Sequence, residues 1–274
     1  MQTIRDLQCL RKARASLDGT VAIVTTMGAL HAGHIKLVEA AKAQADHVVV
    51  SIFVNPTQFA AGEDLSRYPR RGVEDAAMLA EAGVAILWTP DVTTMYPDGF
   101  ATMISVAGVS EGLCGASRPG HFDGVATVVN KLFGQVRPDM ALFGEKDWQQ
   151  LQVVRRMTAD LDLGIDIIGV PTEREADGLA MSSRNAYLSV ADRAAAVALP
   201  TALITAAAAL ANGADEATTL DQARGAITSA GFIIDYVTRR DDRILAAARI
   251  GSTRLIDNIA INVKGATPSP SSKG

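Results

Sequence analysis

Two imidazoles three residues apart are the sharpest chemical feature of this 274-residue chain. They are His31 and His34, within the run Met27-Gly28-Ala29-Leu30-His31-Ala32-Gly33-His34, which follows a β-branched stretch and precedes a helical pattern. Gly28 and Gly33 let backbone approach a bound group closely. A helix beginning near His34 turns unpaired N–H groups and about half a positive charge toward the same place, a ready seat for phosphate. Imidazoles there can donate hydrogen bonds to oxygens whose charge grows as a phosphorus atom becomes five-coordinate. The same spacing also suits two helix-start histidines or half of a metal site. A metal site needs more ligands, and neither His47 nor His121 has an HExxH-like context, so no metal-ligand set is expected. His47, at the start of an apolar run, reads as structural. Gly28 and Gly33 have the wrong spacing for GxGxxG, and no GxxxxGK[ST] occurs, which weakens dinucleotide oxidoreductase and Walker-type kinase readings.

Three further clusters carry polar groups that a nucleotide and a small acid would use. Phe53-Val54-Asn55-Pro56-Thr57-Gln58-Phe59 and Gly144-Glu145-Lys146-Asp147-Trp148-Gln149-Gln150 supply Gln58 and Gln150, whose amides can both donate and accept. Lys146, just past an apolar run, brings a mobile ammonium to phosphate oxygens, and Asp147 can either cap the next helix or accept a hydroxyl. Asp177-Gly178-Leu179-Ala180-Met181-Ser182-Ser183-Arg184-Asn185 combines hydroxyls, a cation and a flexible glycine, a set able to clamp phosphates. Serine-rich loops of this kind also serve as ordinary caps and turns. Arg118-Pro119-Gly120-His121-Phe122-Asp123-Gly124 is another basic, glycine-bearing loop whose chemical role the sequence does not fix.

Those residues must be positioned by elements that the hydrophobic pattern makes visible. Runs at 21–25, 48–54, 84–88, 140–143 and 165–170 are apolar on both faces, as buried parallel strands are. Helix-like spacing fills 34–45, 72–82, 123–136 and 148–160, and this alternation predicts a doubly wound parallel α/β sheet. Ligands collect at the carboxyl ends of such strands, which is where residues 25–28, 55–58 and 144–147 fall. Beyond about residue 172 the character changes. Alanine-rich helices near 190–211 and 216–229 and strands at 232–237 and 255–261 predict a smaller α+β domain. The expected division is 1–172, 173–265 and a frayed tail at 266–274, whose Pro/Ser/Gly composition offers little to pack. Hydrophobic residues at 48%, charged residues at 20% and a net charge of -4 describe an ordinary globular protein, and argue against a disordered or nucleic-acid-coating chain. Two distant cysteines, Cys9 and Cys114, support neither a disulfide framework nor a cysteine-rich zinc site. The N-terminus lacks the pattern of a signal peptide, and Pro200 interrupts the apolar stretch at 194–211, which reads as packed helix and not as a membrane span. A cytoplasmic protein is expected.

Taken jointly, these motifs closely resemble one family, the pantoate–β-alanine ligases, within the superfamily of HIGH-motif nucleotidylyltransferases. The resemblance is carried by residues 27–34, 51–59, 64–70 with Tyr68-Pro69, 118–122, 144–150 and 178–185, in that order along the chain. HxGH alone points only to the superfamily; the set points to the member. It implies a Rossmann-like doubly wound sheet of the HIGH type, with the smaller C-terminal α+β domain as a lid over the ATP site. It also implies a two-step reaction in which pantoate and Mg²⁺-ATP give pantoyl adenylate and pyrophosphate, and β-alanine then gives pantothenate and AMP. By this resemblance Met27, Gly28, Ala29, Leu30, His31, Ala32, Gly33 and His34 line the ATP site. His34 takes the family's proton-donor role, with His31 and Lys146 beside it in catalysis. Gly144, Glu145, Lys146 and Asp147 bind ATP with Glu173 and with Met181, Ser182, Ser183 and Arg184. Gln58 and Gln150 hold pantoate, and Gln58 also meets β-alanine. Glu173 departs from the apolar residue common at its position, which puts a side-chain contact to adenine there in doubt. A homodimer is implied, with no nucleic-acid or membrane partner. A related nucleotidylyltransferase acting on a phosphate acceptor would need extra cations near the neutral Gln58 and Gln150. A silent ATP-binding module would not need the intact His31, His34, Lys146, Ser182, Ser183 and Arg184.

Overall fold

The computed structural model describes residues 1–59 and 63–261, which form two compact units. Of the described residues, the first comprises Met1–Glu173 and Met181–Ser183; the second takes Arg174–Ala180 and 184–261. The tail expected at 266–274 lies outside the described residues.

In the first unit the chain runs β1 (Gln2–Ile4), α1 (Leu7–Ala15), β2 (Val21–Thr26), α2 (Ala32–Lys42), β3 (His47–Ile52), α3 (Gly72–Glu81), β4 (Ile86–Trp88), α4 (Val92–Met95), α5 (Leu113–Ser117), α6 (His121–Val136), β5 (Met140–Gly144), α7 (Trp148–Asp160) and β6 (Asp166–Val170). The six strands pair in parallel in the order β1-β4-β3-β2-β5-β6. The sheet is parallel because its central strands bury both faces. Val21 to Val24, Val48 to Val50 and Ala141 to Phe143 are all buried, as the apolar runs predict. Successive residues of a strand point to opposite faces. Ala22, Val24, Val48, Val50, Leu87 and Leu142 accordingly join Leu37, Val38 and Ala41 of α2 and Leu79 of α3 in one apolar cluster.

Strand order reverses at β2. The chain goes outward from it through β3 and β4, then returns to place β5 on its other side. A crevice therefore opens beyond the carboxyl ends of β2 and β5, the place where such sheets bind ligands. Val24 pairs with Leu142, so a few residues further on, 26–28 and 144–146 leave the sheet side by side. The two loops with the strongest chemical content thus border this crevice.

The second unit holds α8 (Val190–Ala195), α9 (Ala198–Ala211), α10 (Glu216–Ser229) and an antiparallel sheet of β7 (Ile233–Arg240), β8 (Arg243–Ile250) and β9 (Thr253–Ala260). The sequence reading has two strands here; the structure has three. The unread one, β8, lies between the other two and is alanine-rich, a composition depleted in strands. Its small side chains let Leu199 and Leu203 of α9 and Ile227 of α10 pack with Ile244, Ala246 and Ala248. Residues 190–211 are apolar and long enough by composition to cross a membrane, but Leu199, Leu203 and Ala206 are core residues of this unit. Pro200 sits in the first turn of α9, where its missing N–H removes no helical hydrogen bond.

Candidate active site

The histidine motif is a helix start, with His31 itself as the cap of α2. Its Nδ1 accepts the Gly33 N–H at 3.2 Å, and the His34 Nδ1 accepts the His31 N–H at 3.3 Å. This is a capping box built from two imidazoles in place of the usual hydroxyl and carboxylate. The rings lie 4.1 Å apart, centroid to centroid. Because each Nδ1 accepts, a neutral ring carries its proton on Nε2 and can donate from there. Burial, then the neighbouring charges of His31 and Lys146, push the His34 pKa down to about 3. His34 is therefore a neutral donor at neutral pH before any anion arrives. The exits of β2 and β5 are neighbours because Val24 pairs with Leu142 two residues before each strand ends.

Near this centre stand Gln58, in contact with Met27, and Glu173, whose Cβ faces Gly33; the other residues of the motifs are positioned as follows. Gln58 ends a single-turn helix, Pro56–Gln58, beyond β3. Its Nε2 lies 3.1 Å from the Met27 Sδ, and its Oε1 accepts from the Asn55 Nδ2 at 3.1 Å. Gln150 stands in the first turn of α7. Asp147 occupies the position preceding that helix but its side chain makes no capping bond. The capping alternative is therefore not the one the structure uses, and Asp147 instead lies within electrostatic reach of His121. The Glu145 carboxylate lies beside Arg155 over Gly169 of β6, where a Cβ would meet both. The Glu173 carbonyl accepts the Met181 N–H at 3.0 Å, returning residues 181–183 to the first unit. The Cβ of Glu173 stands 3.6 Å from where a Cβ on Gly33 would be. The hydroxyls of Tyr68 and Ser183 are 3.2 Å apart. Arg184 belongs to the second unit. His47, read as structural, has its Nε2 2.8 Å from the Asp18 carbonyl.

Other residues of the site are invisible to spacing arguments. Asn55 is buried and holds the Gln58 turn, its Oδ1 accepting from Tyr96 at 2.7 Å and from the Thr57 hydroxyl at 2.9 Å. Arg118, in the loop whose role the sequence leaves open, donates through Nε at 2.7 Å and Nη2 at 2.6 Å to the two carboxylate oxygens of Glu63. Its Nη1 lies 3.1 Å from the His121 Nε2, and the His121 Nδ1 lies 2.8 Å from the Gln58 carbonyl. A carbonyl only accepts, so Nδ1 carries the proton and Nε2 accepts from Arg118. Gln149, next to the chosen Gln150, is buried and serves as an anchor. Its Oε1 accepts the Cys114 N–H, and its Nε2 donates to carbonyls of Val109, Glu111 and Gly112.

The two depressed histidines give the fold a pH signature. Burial, then Arg118, pushes His121 from 6.5 down to about 4, while His34 falls from 6.5 to about 3. Between 6.5 and those values the unfolded chain binds protons that the folded chain does not, so stability is full above 6.5 and falls with falling pH. His121→Asn removes one such proton. The variant is expected to lose less denaturant stability between about pH 7 and about pH 5 than the wild type does. Equal losses would show that His121 is not neutral in the fold.

A parallel sheet with a reversed strand order, a double-histidine helix start at one strand exit and a lysine at the next define an α/β enzyme of the nucleotide-binding class. The family model described as pantoate-beta-alanine ligase matches residues 1–260. A protein of Sphingopyxis alaskensis called pantothenate synthetase is 59% identical over 95% of this chain and 100% of its own, and one of Rhizorhabdus wittichii is 57% identical over 95% and 99%. The crystal structure of pantothenate synthetase from Thermus thermophilus superposes with a TM-score of 0.90 at 45% identity, covering 95% of this chain and 99% of that one. The pantoate-beta-alanine ligase of Francisella tularensis, complexed with beta-gamma ATP and beta-alanine, gives 0.87 at 36% identity, covering 95% and 98%. The chain belongs to the pantoate–β-alanine ligase family, ATP-using ligases of pantothenate biosynthesis.

Proposed function

We propose that this chain ligates pantoate to β-alanine through a pantoyl adenylate, with the chemistry divided among the residues gathered at the β2 and β5 exits. A pantoate carboxylate oxygen attacks the α-phosphorus of ATP, the bond from that phosphorus to the β-phosphate bridging oxygen breaks, and pyrophosphate leaves. The β-alanine amine then attacks the acyl carbon, the acyl–phosphate C–O bond breaks, AMP leaves, and the amine nitrogen gives up a proton. The observation that most supports this reading is the nearness of His31, His34 and Lys146 to one another, since two imidazoles and an ammonium are a set suited to charge growing on phosphates. The first step requires no proton from the protein, so His34 acts as a neutral Nε2–H donor and not as an acid. Gly144, Lys146 and Asp147 hold ribose and phosphates, Ser182 and Ser183 hold the triphosphate, and Gln58 and Gln150 hold pantoate, with Gln58 also meeting β-alanine. The contact between Gln58 and Met27 supports placing the acid beside the nucleotide loop.

Among the described residues no three His, Cys, Asp or Glu side chains converge as a metal site. Mg²⁺ entering with ATP would be held chiefly by phosphate oxygens and water, as this cation usually is at nucleotide sites. Bound so, the ion neutralises phosphate charge. The family resemblance supports a homodimer, and dependence on ATP supports the cytoplasm.

AMP formation is expected to require ATP, pantoate and β-alanine together, and AMP released in turnover without either acid would defeat the assignment. In Gln58→Ala and Gln150→Ala the KM for pantoate is expected to rise about 10-fold or more, as a lost hydrogen bond to a charged ligand implies. Calorimetric titration checks this directly: unchanged pantoate binding in both variants would mean that the pocket lies elsewhere.

A further inference from the structure

Asp75 has no part in the reading above, yet it is tied to the centre of the site. It projects from the first turn of α3, only 2% exposed. Its Oδ2 accepts the Ala29 N–H at 2.9 Å and its Oδ1 accepts the Leu30 N–H at 2.8 Å. These are successive amides of the loop that leads into His31. The loop is turned the unfavourable way, with Gly28 at φ +84° and Ala29 at φ +52°. A left-handed alanine costs about 1 kcal/mol, and two inward amides without acceptors would cost more. A buried carboxylate without donors is costlier still. Each requirement answers the other. The fit is close, since a Cβ on Gly28 would come within 3.0 Å of the Asp75 Oδ2.

We propose that Asp75 is a positioning residue for adenylate formation. Its carboxylate fixes the left-handed turn at residues 28 and 29, and through it the placement of His31 and His34, without touching substrate. The proposal rests on the assignment of these histidines to the nucleotide phosphates. A carboxylate suits the task because both oxygens accept. In Asp75→Asn the same shape presents one acceptor and one NH₂ group that faces an amide N–H, so one anchor is lost.

Four proteins test it: the wild type, Asp75→Asn, His34→Ala and the double variant. Pyrophosphate release is followed in a single turnover with ATP and pantoate, and aminolysis is followed separately with supplied pantoyl adenylate and β-alanine. Asp75→Asn is expected to slow pyrophosphate release by about 30-fold or more, because misplacement by an ångström or less is that damaging. Aminolysis should stay within about threefold, and on the His34→Ala background Asp75→Asn should add less than about threefold, since the two act as a unit. Unchanged pyrophosphate release in folded Asp75→Asn overturns the proposal. So does an equal fall in both half-reactions, or a penalty fully additive with His34→Ala, because either marks a merely structural residue. If Asp75→Asn does not fold, Gly28→Ala presses on the same carboxylate and must show the same split between half-reactions, an even fall counting against the proposal. Wild-type pyrophosphate release in His34→Ala removes the underlying assignment itself, whatever Asp75 does.

Discussion

Pyrophosphate release from ATP and pantoate is expected to fall by about 100-fold or more in Lys146→Ala and in His34→Ala, with folding intact in both, since in the proposed roles each removes a donor to transition-state charge worth about 3 kcal/mol or more. The effect is large because His34 is preorganised and Lys146 brings its charge to the same place. His34 is held by the His31 backbone and capped onto α2, so its Nε2–H needs no reorientation when charge develops. Lys146 leaves β5 through the single-turn helix Glu145–Asp147, and its charge already reaches His34. The two variants should differ in pH behaviour. Removing Lys146 takes away one cause of the low His34 pKa, so that pKa should rise in Lys146→Ala, although burial and His31 still hold it below 6.5. Rapid-quench measurement of the first turnover decides the matter; a burst at the wild-type rate in either variant removes that residue from the chemistry.

What the sequence makes legible here is what local pattern can encode. Strands β2, β3 and β5 are readable because burial on both faces writes an unbroken apolar run. The histidine and lysine loops are readable because they follow such runs directly. Strand β1 is three residues long with two exposed, and α1 buries only Leu10, so neither leaves a periodic trace. The alanines of β8 favour helix in isolation, and only pairing on both sides makes them a strand. The supporting residues escape for a different reason. Asp75 meets its amides across 45 and 46 residues, Arg118 meets Glu63 across 55, and His121 meets the Gln58 carbonyl across 63. No spacing rule spans such separations. Gln149 and Gln150 are chemically alike, and helix phase alone turns one into a buried anchor for residues 109–114.

Gly124→Ala carries the second large effect, because α6 touches the turn that bears Gln58 with no side chain between them. A Cβ at Gly124 would lie 2.4 Å from the Thr57 carbonyl oxygen, 2.6 Å from its carbon and 2.8 Å from the Gln58 nitrogen. All three are backbone atoms, so no rotamer change can relieve the clash, and helix and turn must separate. The Asn55 Nδ2, which donates to the Gly124 carbonyl at 3.1 Å, and the His121 contact with the Gln58 carbonyl tie the same two pieces together. Separation therefore breaks those bonds while displacing the Gln58 side chain. A displaced amide forfeits the same hydrogen bond to the acid that Gln58→Ala removes, about 10-fold or more in binding, and overpacking adds a stability loss of about 1–3 kcal/mol. Pantoate affinity is expected to fall by about 10-fold or more, as in Gln58→Ala, whereas ATP affinity should change by less than about threefold, because residues 27–34 and Lys146 leave other strands. Gly134→Ala is the control on the same helix. A Cβ there meets nothing within 4 Å, and exchanging glycine for alanine inside a helix stabilises by about 1 kcal/mol. Calorimetry of both variants with each ligand separates the outcomes: pantoate binding at wild-type strength in Gly124→Ala, or parallel behaviour of the two variants, would show that the helix–turn contact does not set the acid pocket.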